Sequence, residues 1–282
     1  MKAFMFAGQG AQKVGMASET VGLKKVKRLL DVAEKERPGI TELMFSGSQE
    51  ELNRTINTQP AMFIADLAYA YKAEEEGGFP QAVCGFSVGE IPALVYSGAL
   101  SLEDGFALID ARARFMDAAC SEHGGKMIAV IGLSADAVER VAEPIPDCWA
   151  VNYNAPLQTV VAVSSEHADE LASAVKAAGG RALPLKVSGA FHCPYMAKAS
   201  EGLKDMLSGM KFAAPEIPVY ANLTATPYTA DEAERKEWLS RQVCSPVRFV
   251  DTVRGMLSAG IDEFVEVGPG SVLTGLIAKI RG

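Results

Sequence analysis

Ala82-Val83-Cys84-Gly85-Phe86-Ser87-Val88-Gly89 decides how this chain is read. A short apolar run ends in a serine held between two glycines, which fits a sharp strand-to-helix turn that pushes the Ser87 hydroxyl beyond the sheet as a nucleophile. Both glycines have a physical reason, since strand and helix backbones crowd together at such a turn and leave no room for a side chain. Glycine and serine also mark ordinary turns, so the reading depends on finding a base elsewhere.

The chain has three histidines, His123, His167 and His192. His123 lies in the polar, glycine-ended Ser121-Glu122-His123-Gly124-Gly125, and His167 in an acidic helix start, Ser165-Glu166-His167-Ala168-Asp169-Glu170. Both read as solvated. His192 instead follows a strand-like run, Ala182 to Val187, and the small-residue turn Ser188-Gly189-Ala190, and stands between Phe191 and Cys193. Alone it would read as a core histidine; joined to an elbow serine it is the credible general base.

Outward from the turn, short apolar strands alternate with amphipathic helical segments, the pattern of an α/β protein with a largely parallel sheet. Lys2 to Phe6 reads as a strand ending in a glycine loop. Helical patterns follow from Val21 to Glu36 and, after the turn-forming Thr58-Gln59-Pro60, from Ala61 to Glu75. The helix after the elbow carries Pro92, which a first helical turn tolerates.

Residues 126–189 have their own rhythm: strand Met127 to Leu133, helix Ala135 to Ala142, strands Trp149 to Tyr153 and Thr159 to Val163, helix Glu166 to Ala178, strand Ala182 to Val187. That βαββαβ order predicts a ferredoxin-like subdomain over 126–189, inserted into a discontinuous large domain made of 1–125 and 190–282. The large domain resumes with a helix from Pro194 to Met210 and a strand from Val219 to Ala221. Helices over Glu232 to Arg241 and Val247 to Ala259, a strand from Glu263 to Val267 and a last helix after Gly268-Pro269-Gly270 complete it.

Ser101-Leu102-Glu103-Asp104 is a capping-box-like start for a helix running to about Cys120. At about 100° per residue, Leu102, Phe106, Leu108, Ile109, Ala113, Met116 and Cys120 share one arc, and Arg112 falls inside it. Arg114 projects to the opposite face near Asp110 and Asp117 and reads as a surface ion pair. Arg112 reads either as a snorkelling or internally paired residue or as a guanidinium waiting for a carboxylate, whose two oxygens match its planar fork.

Composition bounds the rest. The chain has 282 residues, 49% of them hydrophobic and 22% charged, as expected for a globular protein without a disorder signature. A net charge of −8, from 27 basic and 35 acidic residues, argues against nucleic acid or an anionic membrane as the main partner. The Lys24-Lys25-Val26-Lys27-Arg28 cluster reads as a solvated helix face. Five cysteines without a C-x-x-C pair suggest neither a disulfide framework nor a zinc site, so a reducing cytoplasmic setting is expected. Gly8-Gln9-Gly10 cuts the N-terminal apolar run short of an export signal, and no stretch approaches the roughly 20 apolar residues of a membrane span.

Taken together, the motifs resemble malonyl-CoA:acyl carrier protein transacylases over nearly the whole chain. The resemblance runs from Phe6-Ala7-Gly8-Gln9-Gly10-Ala11-Gln12 through Thr58-Gln59-Pro60-Ala61, the elbow with Glu90, and Arg112 to Met116. It continues through Val151-Asn152-Tyr153-Asn154-Ala155-Pro156, Gly189-Ala190-Phe191-His192, Arg241-Gln242 and Glu266-Val267-Gly268-Pro269-Gly270. It implies an α/β-hydrolase-like large domain with a ferredoxin-like insertion, the same division read above.

Carried over residue by residue, the resemblance makes Ser87 the acyl-accepting nucleophile and His192 its general base and acid, oriented by the main-chain carbonyl of Gln242. The backbone N–H groups of Gln9 and Val88 would form the oxyanion hole. Arg112 would bind the malonyl carboxylate, with Phe191, Phe86 and Asn154 also at the substrate. The implied reaction is ping-pong transfer from malonyl-CoA to the phosphopantetheine thiol of an acyl carrier protein, with no metal or redox cofactor and a monomeric enzyme. Carrier proteins of this kind are acidic, so docking needs a local basic patch, for which Lys126, Lys176, Arg181, Lys186, Lys198 and Lys204 are candidates.

Two positions depart from the family pattern: Phe86 stands where a histidine is usual, and Pro92 is uncommon in its helix. Three other readings stay open. A serine hydrolase would share Ser87 and His192 but has no use for Arg112; an acyltransferase serving a polyketide assembly line would differ only in its carrier; a non-catalytic docking subunit would have little reason to hold all three groups.

Overall fold

Lys2-Ala3-Phe4-Met5-Phe6 contains no turn residue, and its alternate side chains leave on opposite faces, so a fully buried strand must find apolar cover on both sides. In the computed structural model, which describes residues 1–282, it is β1 (Lys2–Phe6). Phe4 and Phe6 enter the main hydrophobic core, while Ala3 and Met5 face a second cluster built on Phe249, Val253, Met256 and Leu276.

The chain continues through α1 (Lys24–Glu36), α2 (Ile40–Ser46), α3 (Gln49–Leu52) and α4 (Thr55–Gly77), then β2 (Ala82–Gly85), α5 (Glu90–Tyr96) and α6 (Leu102–His123). Next come β3 (Lys126–Ile131), α7 (Ala135–Ala142), β4 (Cys148–Ala155), β5 (Gln158–Val163), α8 (Ala168–Ala177) and β6 (Arg181–Pro184). The last part holds α9 (Ala197–Ser208), β7 (Val219–Tyr220), α10 (Glu232–Arg241), α11 (Phe249–Ser258), β8 (Glu263–Val267) and α12 (Val272–Arg281).

One sheet has the order β7-β2-β1-β8 with every neighbouring pair parallel. Its register sets Phe6 opposite both Gly85 and Val267, so three strands end level and their following loops meet at one edge. In open parallel sheets that carboxyl edge is where ligands bind. The other sheet, β4-β5-β3-β6, is antiparallel throughout and carries α7 and α8, the expected ferredoxin-like order. Backbone bonds from Tyr153 N to Val247 O (2.9 Å) and from Val247 N to Val151 O (2.8 Å) tie its outer strand to the segment before α11.

Several boundaries differ from the sequence reading. The α2 and α3 helices were not anticipated, the strand expected to reach Val187 ends at Pro184, and the helix expected from Pro194 begins as a single 3-10 turn over Pro194–Met196. The main correction concerns Thr58-Gln59-Pro60, which is no turn: it lies inside α4, buried on all sides. A helical proline leaves the carbonyl four residues earlier without its donor. Here that carbonyl belongs to Ile56, and Arg37 Nη1 supplies the missing hydrogen bond at 2.6 Å. The same guanidinium binds Asn57 Oδ1 (2.6 Å) and Asp110 Oδ1 (2.8 Å), locking the start of α4 to α6.

Arg37→Met should therefore destabilise the fold by about 2 kcal/mol, since it strands the Ile56 carbonyl and leaves Asp110 with Arg114 as its one remaining cation. In a Pro60→Ala background the restored amide N–H bonds to Ile56 O again, and the penalty should shrink by about 0.5 to 1.5 kcal/mol. Urea denaturation of the four proteins measures the coupling, and strict additivity would show that Arg37 does not substitute for the lost donor.

Candidate active site

The elbow is a problem of close approach. A Cβ on Gly85 would lie 2.0 Å from the Gly89 carbonyl carbon, and one on Gly89 would lie 2.4 Å from Phe6 O, so no other residue fits either position. Between them Ser87 adopts a left-handed backbone with φ 52°, in a 3-10 turn that runs straight into α5. Such a conformation at a non-glycine residue costs on the order of 1 to 3 kcal/mol unless the surroundings hold it. Asn222, just beyond β7, does so: its Oδ1 accepts from Ser87 N (2.7 Å) and its Nδ2 donates to Gly85 O (2.6 Å). Pro92 falls in the first turn of α5, as expected.

His192 comes to Ser87 from the chain beyond the small sheet. It too has a left-handed backbone, φ 60°, pinned by its N–H to Val243 O at 3.0 Å. Its Nε2 stands 2.7 Å from Ser87 Oγ. Its Nδ1 lies 3.0 Å from Gln242 O and 3.2 Å from Ser245 O. Both of those partners only accept, so Nδ1 carries the hydrogen and Nε2 turns its lone pair to the serine. Burial, reinforced by the charge on Arg112, lowers the His192 pKa to about 4, which keeps the ring neutral and proton-accepting near pH 7.

Arg112 is the third group, and only 2% of it is exposed. Its Nη1 donates to Gln59 Oε1 (2.6 Å), and its Nη2 donates to Gln242 Oε1 (2.9 Å) and to Ser87 Oγ (3.1 Å). Three of its five N–H groups are thus engaged, and Nε has no partner. Burial lowers its pKa to about 10, so it stays charged at neutral pH.

No carboxylate touches this cation. The nearest counter-charge in the network is Glu90, reached through the Gln242 amide, whose Nε2 donates to Glu90 Oε2 (2.7 Å) and to Ser87 O (2.7 Å). Tyr228 donates its hydroxyl to Glu90 Oε1 (2.5 Å), and Asn222 N donates to Oε2 (3.3 Å). Burial dominates these favourable bonds and raises the Glu90 carboxyl to about 7.

Ser87, His192 and Arg112 form the floor of a cleft of about 280 Å³ between the two sheets. The Gly8-Gln9-Gly10 loop after β1 makes one side, and Asn154, Val160 and Phe191 belong to the other. Gln9 ties its side chain away to Thr55 Oγ1 (3.2 Å), so the backbone is the part of this residue left for the cleft. Phe86 packs edge-on against Phe249 with ring centroids 5.5 Å apart, and it fits because Gly8 has no Cβ, which would lie 2.8 Å from the ring. Asn154 lines the cleft with its Oδ1 unpaired.

The structure brings together Ser87, His192, Gln242, Arg112, Gln9, Phe86, Asn154 and Phe191 in and around this cleft, with the buried Val88 directly following the serine. Arg114 pairs with Asp110 outside it, and Asp117 takes no part in that pair. Of the basic docking candidates, Lys198 and Lys204 are already paired with Glu122 and Glu237. Gln59, Asn222, Tyr228 and the Glu90 contact were not read from sequence as parts of the site. Glu90 left a signal, being a lone charge ahead of Ile91-Pro92-Ala93-Leu94-Val95. Asn222 and Tyr228 left none, because their partners lie more than 130 positions away in the chain.

A serine pressed against a neutral histidine can accept an acyl group, and an underused guanidinium beside it can hold an anionic substituent on that group. The profile of the acyl transferase domain matches residues 3–280. The malonyl CoA-acyl carrier protein transacylase of Bacillus subtilis (strain 168) is 37% identical over 287 residues, spanning 99% of this chain and 90% of that one. The crystal structure of an acyl-carrier-protein S-malonyltransferase from Burkholderia pseudomallei 1710b superposes with a TM-score of 0.94 at 37% identity, covering 99% of this chain and 92% of the other. A malonyl-transacylase solved in complex with its type II PKS acyl-carrier protein gives a TM-score of 0.93 at 34% identity, with 99% and 92% covered. With the fold and these full-length similarities in agreement, the chain belongs to the malonyl-CoA:acyl carrier protein transacylase family.

Proposed function

We propose that this protein transfers a malonyl group from malonyl-CoA to the phosphopantetheine thiol of an acyl carrier protein, through an ester on Ser87. The observation that carries the reading is a buried guanidinium with unengaged N–H groups, 3.1 Å from the hydroxyl of a serine–histidine pair. A hydrolase of simple acyl esters has no use for that cation. The relatives named for malonyl transfer support the substrate, and the type II PKS carrier bound to one of them supports the partner.

In this mechanism Ser87 Oγ attacks the thioester carbonyl while its proton passes to His192 Nε2. The Nδ1 hydrogen bonds to Gln242 O and Ser245 O hold the ring in the accepting tautomer and steady the imidazolium that forms. Backbone N–H groups of Val88 and Gln9 face the oxyanion. The tetrahedral adduct collapses, the CoA sulfur leaves with the proton from His192, and the malonyl ester remains. The carrier thiol then repeats the sequence in reverse. Arg112 holds the malonyl carboxylate throughout, while Phe86 and Phe191 wall the acyl pocket. All of these groups come from one chain, so the monomer suffices, and the unpaired cysteines suit the reducing cytoplasm. Fatty-acid and polyketide carriers present the same thiol, and loading of purified carriers of each kind distinguishes the two pathways.

Incubation with malonyl-CoA should leave one malonyl ester on Ser87, seen by peptide mass spectrometry and absent from Ser87→Ala; a label on a cysteine instead would overturn the mechanism. Because the His192 pKa is lowered to about 4, the rate of acylation should hold level from pH 6 to 5 and fall tenfold per unit only below 4. Arg112→Met removes one of the two causes of that lowering, so the acid limb should move upward; rapid-quench acylation across pH measures both. Arg112→Ala should lose on the order of two to four decades in kcat/KM for malonyl-CoA, the equivalent of stranding a carboxylate at roughly 3 to 5 kcal/mol. Acetyl-CoA, with no carboxylate, should be spared, and an unchanged malonyl-to-acetyl ratio would make Arg112 a structural residue.

A further inference from the structure

Arg112, Gln242 and Glu90 form a relay in which an amide separates a buried cation from a buried acid. The Gln242 amide is oriented at both ends, with its Oε1 accepting from Arg112 Nη2 (2.9 Å) and its Nε2 donating to Glu90 Oε2 (2.7 Å). All three side chains are enclosed, at 2%, 1% and 1% exposure respectively. Arg112 Nε has no hydrogen-bond partner within the chain. We infer that Glu90 is the counter-ion that Arg112 exchanges for the acyl carboxylate: ionised in the free protein, it takes up a proton from solvent when that carboxylate binds. This inference rests on the reading that Arg112 receives the malonyl carboxylate.

The charge balance requires the exchange. With Glu90 ionised, the free network holds one cation and one anion. A second carboxylate would leave an uncompensated negative charge in an enclosed site, and two carboxylates sharing one cation cannot both ionise cheaply there. The incoming carboxylate touches the guanidinium directly and keeps its charge; Glu90, one amide farther away, gives up its own.

The hydrogen bonds identify the oxygen that takes the proton. Glu90 Oε2 faces two N–H donors, Gln242 Nε2 and Asn222 N, and can only accept. Oε1 faces the Tyr228 hydroxyl, which can turn from donor to acceptor, so the proton goes to Oε1 and Tyr228 reverses.

The other titratable groups around Glu90 are Arg112 from α6, the Tyr228 phenol from the segment after β7, and the Cys84 thiol from β2. Burial pushes Cys84 up to about 12 and Tyr228 well above its ordinary value, and Arg112 keeps its proton to about 10. Glu90, raised to about 7, is the group poised to exchange a proton at neutral pH. His192 is the competing acceptor, since it also feels Arg112.

The test uses Ser87→Ala protein, which binds acyl-CoA without being acylated. Titration calorimetry at pH 7.5 in buffers of different ionisation enthalpy reads the protons taken up per site. Malonyl-CoA should take up roughly three quarters of a proton more than acetyl-CoA, which carries the same nucleotide. In Ser87→Ala/Glu90→Gln the difference should vanish while malonyl-CoA still binds.

A readout that needs no Glu90 variant is the pH profile of the unmodified enzyme. Above about 7 its kcat/KM for malonyl-CoA should fall by up to tenfold per unit while that for acetyl-CoA stays level. Malonyl-CoA binding without extra proton uptake, uptake that survives Glu90→Gln, or superimposable pH profiles would each overturn the inference and leave Arg112 as the carboxylate site. Malonyl-CoA binding that is indifferent to Arg112→Met would instead overturn the reading beneath it.

Discussion

The buried guanidinium of Arg112 has to keep its charge with no carboxylate in contact, and the arrangement around it follows from that constraint. A directly paired acid would satisfy the cation and close it to an incoming anion. Instead two amide oxygens, from Gln59 and Gln242, and the Ser87 hydroxyl solvate it, while the compensating Glu90 stands one amide away. That geometry stabilises the charge enough to hold a proton at neutral pH and leaves N–H groups unengaged beside Ser87.

The same constraint explains why so few groups serve several ends. Gln242 orients His192 through its carbonyl, solvates Arg112 through Oε1, and steadies the elbow by donating to Ser87 O. Asn222 holds the strained Ser87 backbone and also caps Glu90. The positive φ angles of Ser87 and His192 persist because each residue is tied by its N–H to a fixed acceptor, so the 2.7 Å contact between them is set by the backbone as well as by the side chains. Removing Arg112 therefore also touches the histidine, whose lowered pKa depends partly on that cation.

The small antiparallel sheet makes the floor into a cleft. It leans over the carboxyl edge of the parallel sheet and is anchored there by the backbone bonds between Tyr153, Val151 and Val247. The Phe86 ring settles against Phe249 only because Gly8 leaves space. The cleft is accordingly walled by apolar surface next to Ser87, with the Arg112 cation on its floor.

Local pattern alone was enough for the elbow, the αβ alternation, the ferredoxin-like strand order and the inward face of Arg112, because each rests on short-range periodicity or on glycines at a close approach. The helix containing Arg112 begins at its Ser101 cap, as read. The same local reading failed at Thr58-Gln59-Pro60, where a proline that looks like a turn is carried inside α4 by Arg37, a donor from another helix. That failure also hid Gln59 as a partner of Arg112. Glu90, Asn222 and Tyr228 were decided by tertiary structure alone, since a buried acid is defined by the donors that surround it, and these arrive from chain segments more than 130 residues away. Sequence by itself determined which side chains could carry the chemistry; the meeting of strand ends at one edge determined which of them touch, and burial determined which of them hold a proton.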